Sequence, residues 1–104
     1  MKILGIDHVG IAVSNLDEAV RFYAETLGLV ADPVEEKPEL GLRIARVQVG
    51  DVQLELIEAH DWEHTMQRHV PCKGPGVYHV GLRVADVDAA VVELGQAQVP
   101  LIDP

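Results

Sequence analysis

Apolar and polar residues alternate from Gly5 to Val13. This predicts a strand with Val9, Ile11 and Val13 on one face and His8, Gly10 and Ala12 on the other. The second face sets small residues beside a histidine, which leaves space where a core strand would be filled. A period near 3.6 follows, with Leu16, Ala19, Val20, Tyr23 and Leu27 forming one apolar stripe. Ser14 or Asn15 offers the helix N-cap, Asp17 or Glu18 three residues on completes a capping box, and Gly28 ends the helix. Residues 29–33 read as a short strand, and Val34 to Gly41 as a polar connector ending in a turn. Leu42–Val49 and Val52–Glu58 predict a hairpin about Gly50-Asp51. In its second arm Val52, Leu54 and Leu56 share one face and Gln53, Glu55 and Ile57 the other. A carboxylate set among Leu54, Leu56 and Ile57 needs a partner, because burying an unpaired charge is costly. The first 58 residues therefore read β-α-β-β-β.

After a linker the pattern begins again. Residues 77–84 predict a strand, Asp86 a cap, the stretch to Leu94 a helix stopped by Gly95, and a further strand starts near Val99. A shift of 71 positions lays Ile6-Asp7-His8-Val9-Gly10-Ile11-Ala12-Val13 over Val77-Tyr78-His79-Val80-Gly81-Leu82-Arg83-Val84. Asp17, Ala19 and Val20 then fall on Asp88, Ala90 and Val91, and Asp32-Pro33 on Asp103-Pro104. The chain thus predicts one α+β domain over 1–104, built from paired βαβββ modules. The first module is 1–58, the linker 59–76, and 77–104 opens a second module that stops before its hairpin. The repeat equivalent of Glu55 would lie beyond Pro104. Residues following Pro104, or a partner subunit, are expected to complete the sheet. The former is favoured, because a half-built module would expose a long unpaired strand edge.

Length and composition suit a single small globular domain: 104 residues, 48% apolar and 24% charged. A net charge of −9, from 8 basic and 17 acidic residues, argues against nucleic-acid binding. Arg43, Arg46, Arg83 and Lys37 remain candidates for a local basic rim. No stretch approaches the length of a membrane span, and the opening residues show no signal-cleavage pattern. Cys72 is the single cysteine, so no internal disulfide forms and a reducing cytoplasm is the expected location. In its Pro71–Gly76 connector Cys72 has no evident base partner, which makes it a poor nucleophile.

Candidate chemistry comes from the repeat. Duplicated folding units bring equivalent positions together across a pseudo-two-fold axis, so His8 and His79 are expected to face each other, with Glu55 aimed inward beside them. Two imidazoles and a carboxylate suit a divalent ion of the Mn, Fe, Co, Ni or Zn group and leave positions open for substrate. The competing reading has two core histidines bonded to backbone and Glu55 in solvent, an accident that would have to occur twice at equivalent positions. His60-Asp61-Trp62-Glu63-His64 matches the H-x-x-E-H string of inverted zinc peptidases. That string needs a long helix and a distant further ligand, so solvated side chains are the better account of it.

The stretch Ile6-Asp7-His8-Val9-Gly10-Ile11-Ala12-Val13-Ser14-Asn15-Leu16-Asp17-Glu18-Ala19, with Phe22-Tyr23 and Leu27-Gly28-Leu29, resembles the opening of vicinal oxygen chelate (glyoxalase-like) proteins. Pro38-Glu39-Leu40-Gly41-Leu42-Arg43-Ile44-Ala45, leading to Val49-Gly50-Asp51-Val52-Gln53-Leu54-Glu55-Leu56-Ile57-Glu58, is similar to methylmalonyl-CoA epimerases, as is Lys73-Gly74-Pro75-Gly76-Val77-Tyr78-His79-Val80. The resemblance covers essentially the whole chain. It implies the vicinal oxygen chelate fold, with His8 and His79 as metal ligands and Glu55 where the family has Glu or Gln. A fourth ligand, a glutamate on the final strand that is also the better-supported base, would fall beyond Pro104. Ile44 stands where some members carry a second glutamate, so the catalytic base is unassigned. The implied activity is that of an isomerase: a metal-dependent epimerase interconverting the 2R and 2S forms of methylmalonyl-CoA by C2 proton abstraction through a metal-stabilised enolate. Co²⁺ or Mn²⁺ is the favoured ion, with Ni²⁺ or Zn²⁺ as alternatives. An acyl-CoA is the expected substrate and a homodimer the expected assembly. Rival readings are a glyoxalase I-type isomerase, an extradiol dioxygenase, and a non-enzymatic ligand-binding member of the fold. Retention of both histidines counts against the last.

Overall fold

A computed structural model describes residues 1–59 and 75–100. Residues 60–74 of the expected linker 59–76, with the His60–His64 string and Cys72, lie outside the described residues. The first alternating segment forms strand β1 (Ile3–Ala12), which begins two residues earlier than predicted. Asn15 is the N-cap of helix α1 (Leu16–Arg21), its side chain accepting from the Glu18 amide at 3.0 Å. A second acceptor comes from another element: the Leu16 amide donates to Glu58 Oε2 at 2.7 Å, satisfying a further amide of the first turn. Past Arg21 the helix widens over Phe22–Thr26, where the Leu27 amide reaches back to the Phe22 carbonyl at 3.2 Å. Widening breaks the 3.6 spacing, so Leu27, predicted on the apolar stripe, is exposed instead. Gly28, at φ +71°, then ends the helix as expected.

Strand β2 is only Val30–Ala31. The predicted connector contains a strand, β3 (Glu35–Lys37), followed by a tight turn over Pro38–Leu40. Three charged residues carry no apolar alternation, and β3 is a strand because it pairs with β4 (Leu42–Val49). The hairpin to β5 (Val52–Ala59) turns on Gly50-Asp51 with Val49 opposite Val52, as the alternation required. Beyond the undescribed segment come β6 (Gly76–Val84) and helix α2 (Val87–Gln96), capped by Asp86 through the Ala89 amide at 3.0 Å. Asp86 is the repeat equivalent of Asn15. Gly95 does not stop α2. The helix closes one turn later, with Gln98 at φ 63° and the Val99 amide bonded to the Leu94 carbonyl at 2.9 Å. Val99 is thus held by the helix end, and Val99-Pro100 are not in a strand; the rest of the strand expected from Val99, at residues 101–104, lies outside the described residues.

The strands make one sheet in the order β2-β4-β5-β1-β6, with β3 also beside β4. β5 is parallel to β1 and all other pairings are antiparallel. The molecule is α+β: a βαβββ unit, with the short β3 added, followed by the β-α opening of a second. α1 covers one face, where Leu16, Ala45, Val47 and Leu56 are fully buried and Ile11, Val13, Leu54, Ala19, Val20 and Tyr23 pack around them. The opposite face of β1, β4 and β5 carries Ala12, Ile44, Ile57 and Ala59, also buried, and the polar side chains of the site.

Candidate metal centre

Strand register assembles the site. In the β1–β6 ladder His8 lies opposite Gly81 and His79 opposite Gly10. On the other side of β1, Gly10 lies opposite Glu55. Gly10 is therefore flanked by an imidazole and a carboxylate, and His8 stands two residues along the same face. The arrangement of the histidines is reciprocal, each beside the glycine that follows the other by two, as a pseudo-two-fold axis demands. The His8 ring fills the space over Gly81, where a Cβ would come within 3.0 Å of three ring atoms. The two rings meet edge to face, their centroids 4.9 Å apart.

The sequence-predicted trio is brought together. The Nε2 atoms of His8 and His79 are 2.9 Å apart, and one ligand atom from each of His8, Glu55 and His79 lies within 4.8 Å of the others. All three side chains are half-buried. Ligand bonds of about 2.1 Å at right angles place two donor atoms about 3 Å apart, so the imidazole pair stands at the spacing of neighbouring ligands on one ion. The donor set of two imidazoles and a carboxylate fits a borderline divalent cation.

Charge is arranged to suit. Burial, then repulsion from His8, push the His79 imidazole below its ordinary pKa, with Glu55 opposing them. This favours the neutral ring that a metal requires. Arg46, in register with Glu55, brings its Nε to 3.8 Å from Glu55 Oε1 and also pairs with Glu35. Sequence reasoning had not assigned Arg46 as the partner that Glu55 needed. The signal lay in the hairpin register, which counts outward from Gly50-Asp51. Asp7, also overlooked, accepts from His8 Nδ1 at 3.0 Å. That hydrogen bond, and then one from Arg83, hold the Asp7 carboxyl below its usual range. The expected basic rim does not stand. Arg43 pairs with Glu36, Glu58 and Asp17, Arg46 with Glu35 and Glu55, Arg83 with Asp7, and Lys37 with Glu35. An acidic excess within so small a chain supplies each of these cations with a carboxylate.

Residues 7–104 match the family model of the glyoxalase/bleomycin resistance protein/dioxygenase superfamily. The chain belongs to that superfamily. It is 33% identical over 98 residues to YqjC of Bacillus subtilis (strain 168), an uncharacterized protein, covering 94% of this chain and 70% of that one. It is 29% identical over 101 residues to the mitochondrial methylmalonyl-CoA epimerase of Homo sapiens, covering 90% of this chain. Here it spans about half of the relative's length, 54%. A solved methylmalonyl-CoA epimerase in complex with methylmalonyl-CoA and NH4+ superimposes with a TM-score of 0.77 at 30% identity, over 95% of this chain and 73% of that one. The fold class and the resemblance to the epimerases are thereby established. Among the described residues, no helix is long and apolar enough to cross a membrane.

Proposed function

We propose that the protein is a metal-dependent epimerase interconverting the 2R and 2S forms of methylmalonyl-CoA, with His8, Glu55 and His79 as ligands of a divalent ion, Co²⁺ or Mn²⁺ in preference to Ni²⁺ or Zn²⁺. The observation that carries this reading is the convergence of two repeat-related imidazoles and one carboxylate on one sheet face. The similarity to epimerases, one of them solved with methylmalonyl-CoA, supplies the substrate class. When bound, the ion supplies positive charge where negative charge develops as the C2 proton leaves the acyl group. The residues of the chain shape the rest. Gly81, having no side chain, gives the His8 imidazole the space it occupies beside the site. Arg46 orients Glu55 through their ion pair. Ile44, buried on β4, offers no proton acceptor, so the base that removes the C2 proton is not Ile44. The same reading carries a cytoplasmic location and a homodimer as the working form; sedimentation of the purified protein would show the dimer.

The test is exchange of solvent deuterium into C2 of methylmalonyl-CoA, followed by NMR or mass spectrometry. Exchange is expected to require added Co²⁺ or Mn²⁺ and to vanish in His8→Ala and His79→Ala. Absence of exchange in the metal-loaded, full-length protein overturns the epimerase reading. Turnover of the methylglyoxal–glutathione adduct in its place would promote the glyoxalase alternative.

A further inference from the structure

We infer that Asp7 is a positioning residue for the metal site: it fixes the proton of His8 on Nδ1 and so turns the Nε2 lone pair toward Glu55 and His79. In a regular strand Asp7 and His8 would point to opposite faces and could not meet. The β1–β6 ladder shifts register here. Between Ile6 and His8 strand β1 advances two residues, while β6 advances only from Leu82 to Gly81. Asp7 and His8 therefore share one partner position in a bulge, a distortion that re-aims side chains. The result is a bond of 3.0 Å between His8 Nδ1 and Asp7 Oδ2.

An ionised carboxylate only accepts, so the ring nitrogen must donate. Nε2 of the neutral ring is then the acceptor, and it is Nε2 that lies 2.9 Å from His79 Nε2. The carboxylate is itself held, because Arg83 Nη2 donates to its other oxygen, Oδ1, at 3.2 Å. Arg83 thus has a place in the arrangement at one remove from the imidazole. A carboxylate behind a ligating imidazole sets the ring's tautomer and orientation and raises its basicity. Its loss typically lowers metal affinity about 10- to 100-fold.

This inference rests on the metal reading above, and its test separates the two. Long-range ¹H–¹⁵N spectra of the metal-free protein, selectively labelled at histidine, report which ring nitrogen of His8 carries the proton. Competition with a chromogenic chelator reports affinity for Co²⁺ alone. The expected result is an Nδ1–H ring in the wild type, a shift toward Nε2–H in Asp7→Ala, and a 10- to 100-fold weaker Co²⁺ affinity in that variant. Asp7→Asn, which keeps an acceptor without the charge, should restore part of both, and Arg83→Ala should move both in the direction of Asp7→Ala by less. An Nε2–H ring in the wild type, or equal Co²⁺ affinity in wild type and Asp7→Ala, overturns the role. Failure of the metal reading looks different. There His8 keeps its Nδ1 proton while the wild type binds no Co²⁺, and the ligand-aiming role of Asp7 falls with the site.

Discussion

Each site histidine is followed two positions later by a glycine, and the structure shows what Gly81 is for. Gly81 is the floor on which the His8 imidazole rests, and any Cβ there would collide with the ring. Gly81→Ala should therefore displace His8, lowering Co²⁺ affinity at least about tenfold by titration, as loss of ligand orientation does. The overpacking should cost about 1–3 kcal/mol in chemical denaturation. An unchanged affinity would mean that the ring is not held where the structure puts it. At this scale the three candidate ligands were legible in the sequence: the histidines because they recur at equivalent positions, and Glu55 because alternation aimed a carboxylate inward. Asp7 and Arg46 were not. Asp7 reaches His8 only through a bulge, and Arg46 meets Glu55 only through cross-strand register. Neither effect leaves a mark in a list of neighbouring residues.

Among the elements, the long alternating strands and the hairpin followed directly from apolar periodicity, and the departures have local causes. β3 is invisible to a hydrophobic pattern because all three of its residues are charged. It is held to β4 by backbone pairing and by the ion pairs Glu36–Arg43 and Glu35–Arg46. Helix α2 passes the glycine that should have ended it. Its closing bonds run from Gln98 to the Gly95 carbonyl and from Val99 to the Leu94 carbonyl, which leaves Gln98 in the left-handed position usually given to glycine. An L-residue there carries a steric cost of about 1–2 kcal/mol that glycine avoids, offset in part by the greater chain entropy of glycine. Gln98→Gly should accordingly stabilise the protein by up to about 1 kcal/mol, read as a raised unfolding midpoint with an unchanged denaturant slope. A lowered midpoint would show that α2 does not end this way.

Across the whole molecule the two halves are unequal in packing. The first half holds the buried cluster of Leu16, Ala45, Val47 and Leu56, while among the described residues α2 contributes only Ala90 to the core. Val77, Val80, Leu82, Val87 and Val92 are all exposed. Leu56→Ala should cost about 2–5 kcal/mol, the range for a fully buried leucine. Val91→Ala, on a half-open face of α2, should cost well under that. Native-state hydrogen exchange should likewise find the α2 amides opening at lower free energy than those of β4 and β5, because few buried apolar contacts hold α2 in place. Equal protection in the two regions would refute this inequality. The sequence by itself determined the duplicated plan, the faces of the strands and the identity of the three candidate ligands. Those follow from periodicity, which is local chemistry repeated along the chain. Only the tertiary structure decided which strands are neighbours and in what register. A one-residue slip between β1 and β6 would leave every local preference satisfied and carry the imidazoles to opposite faces of the sheet.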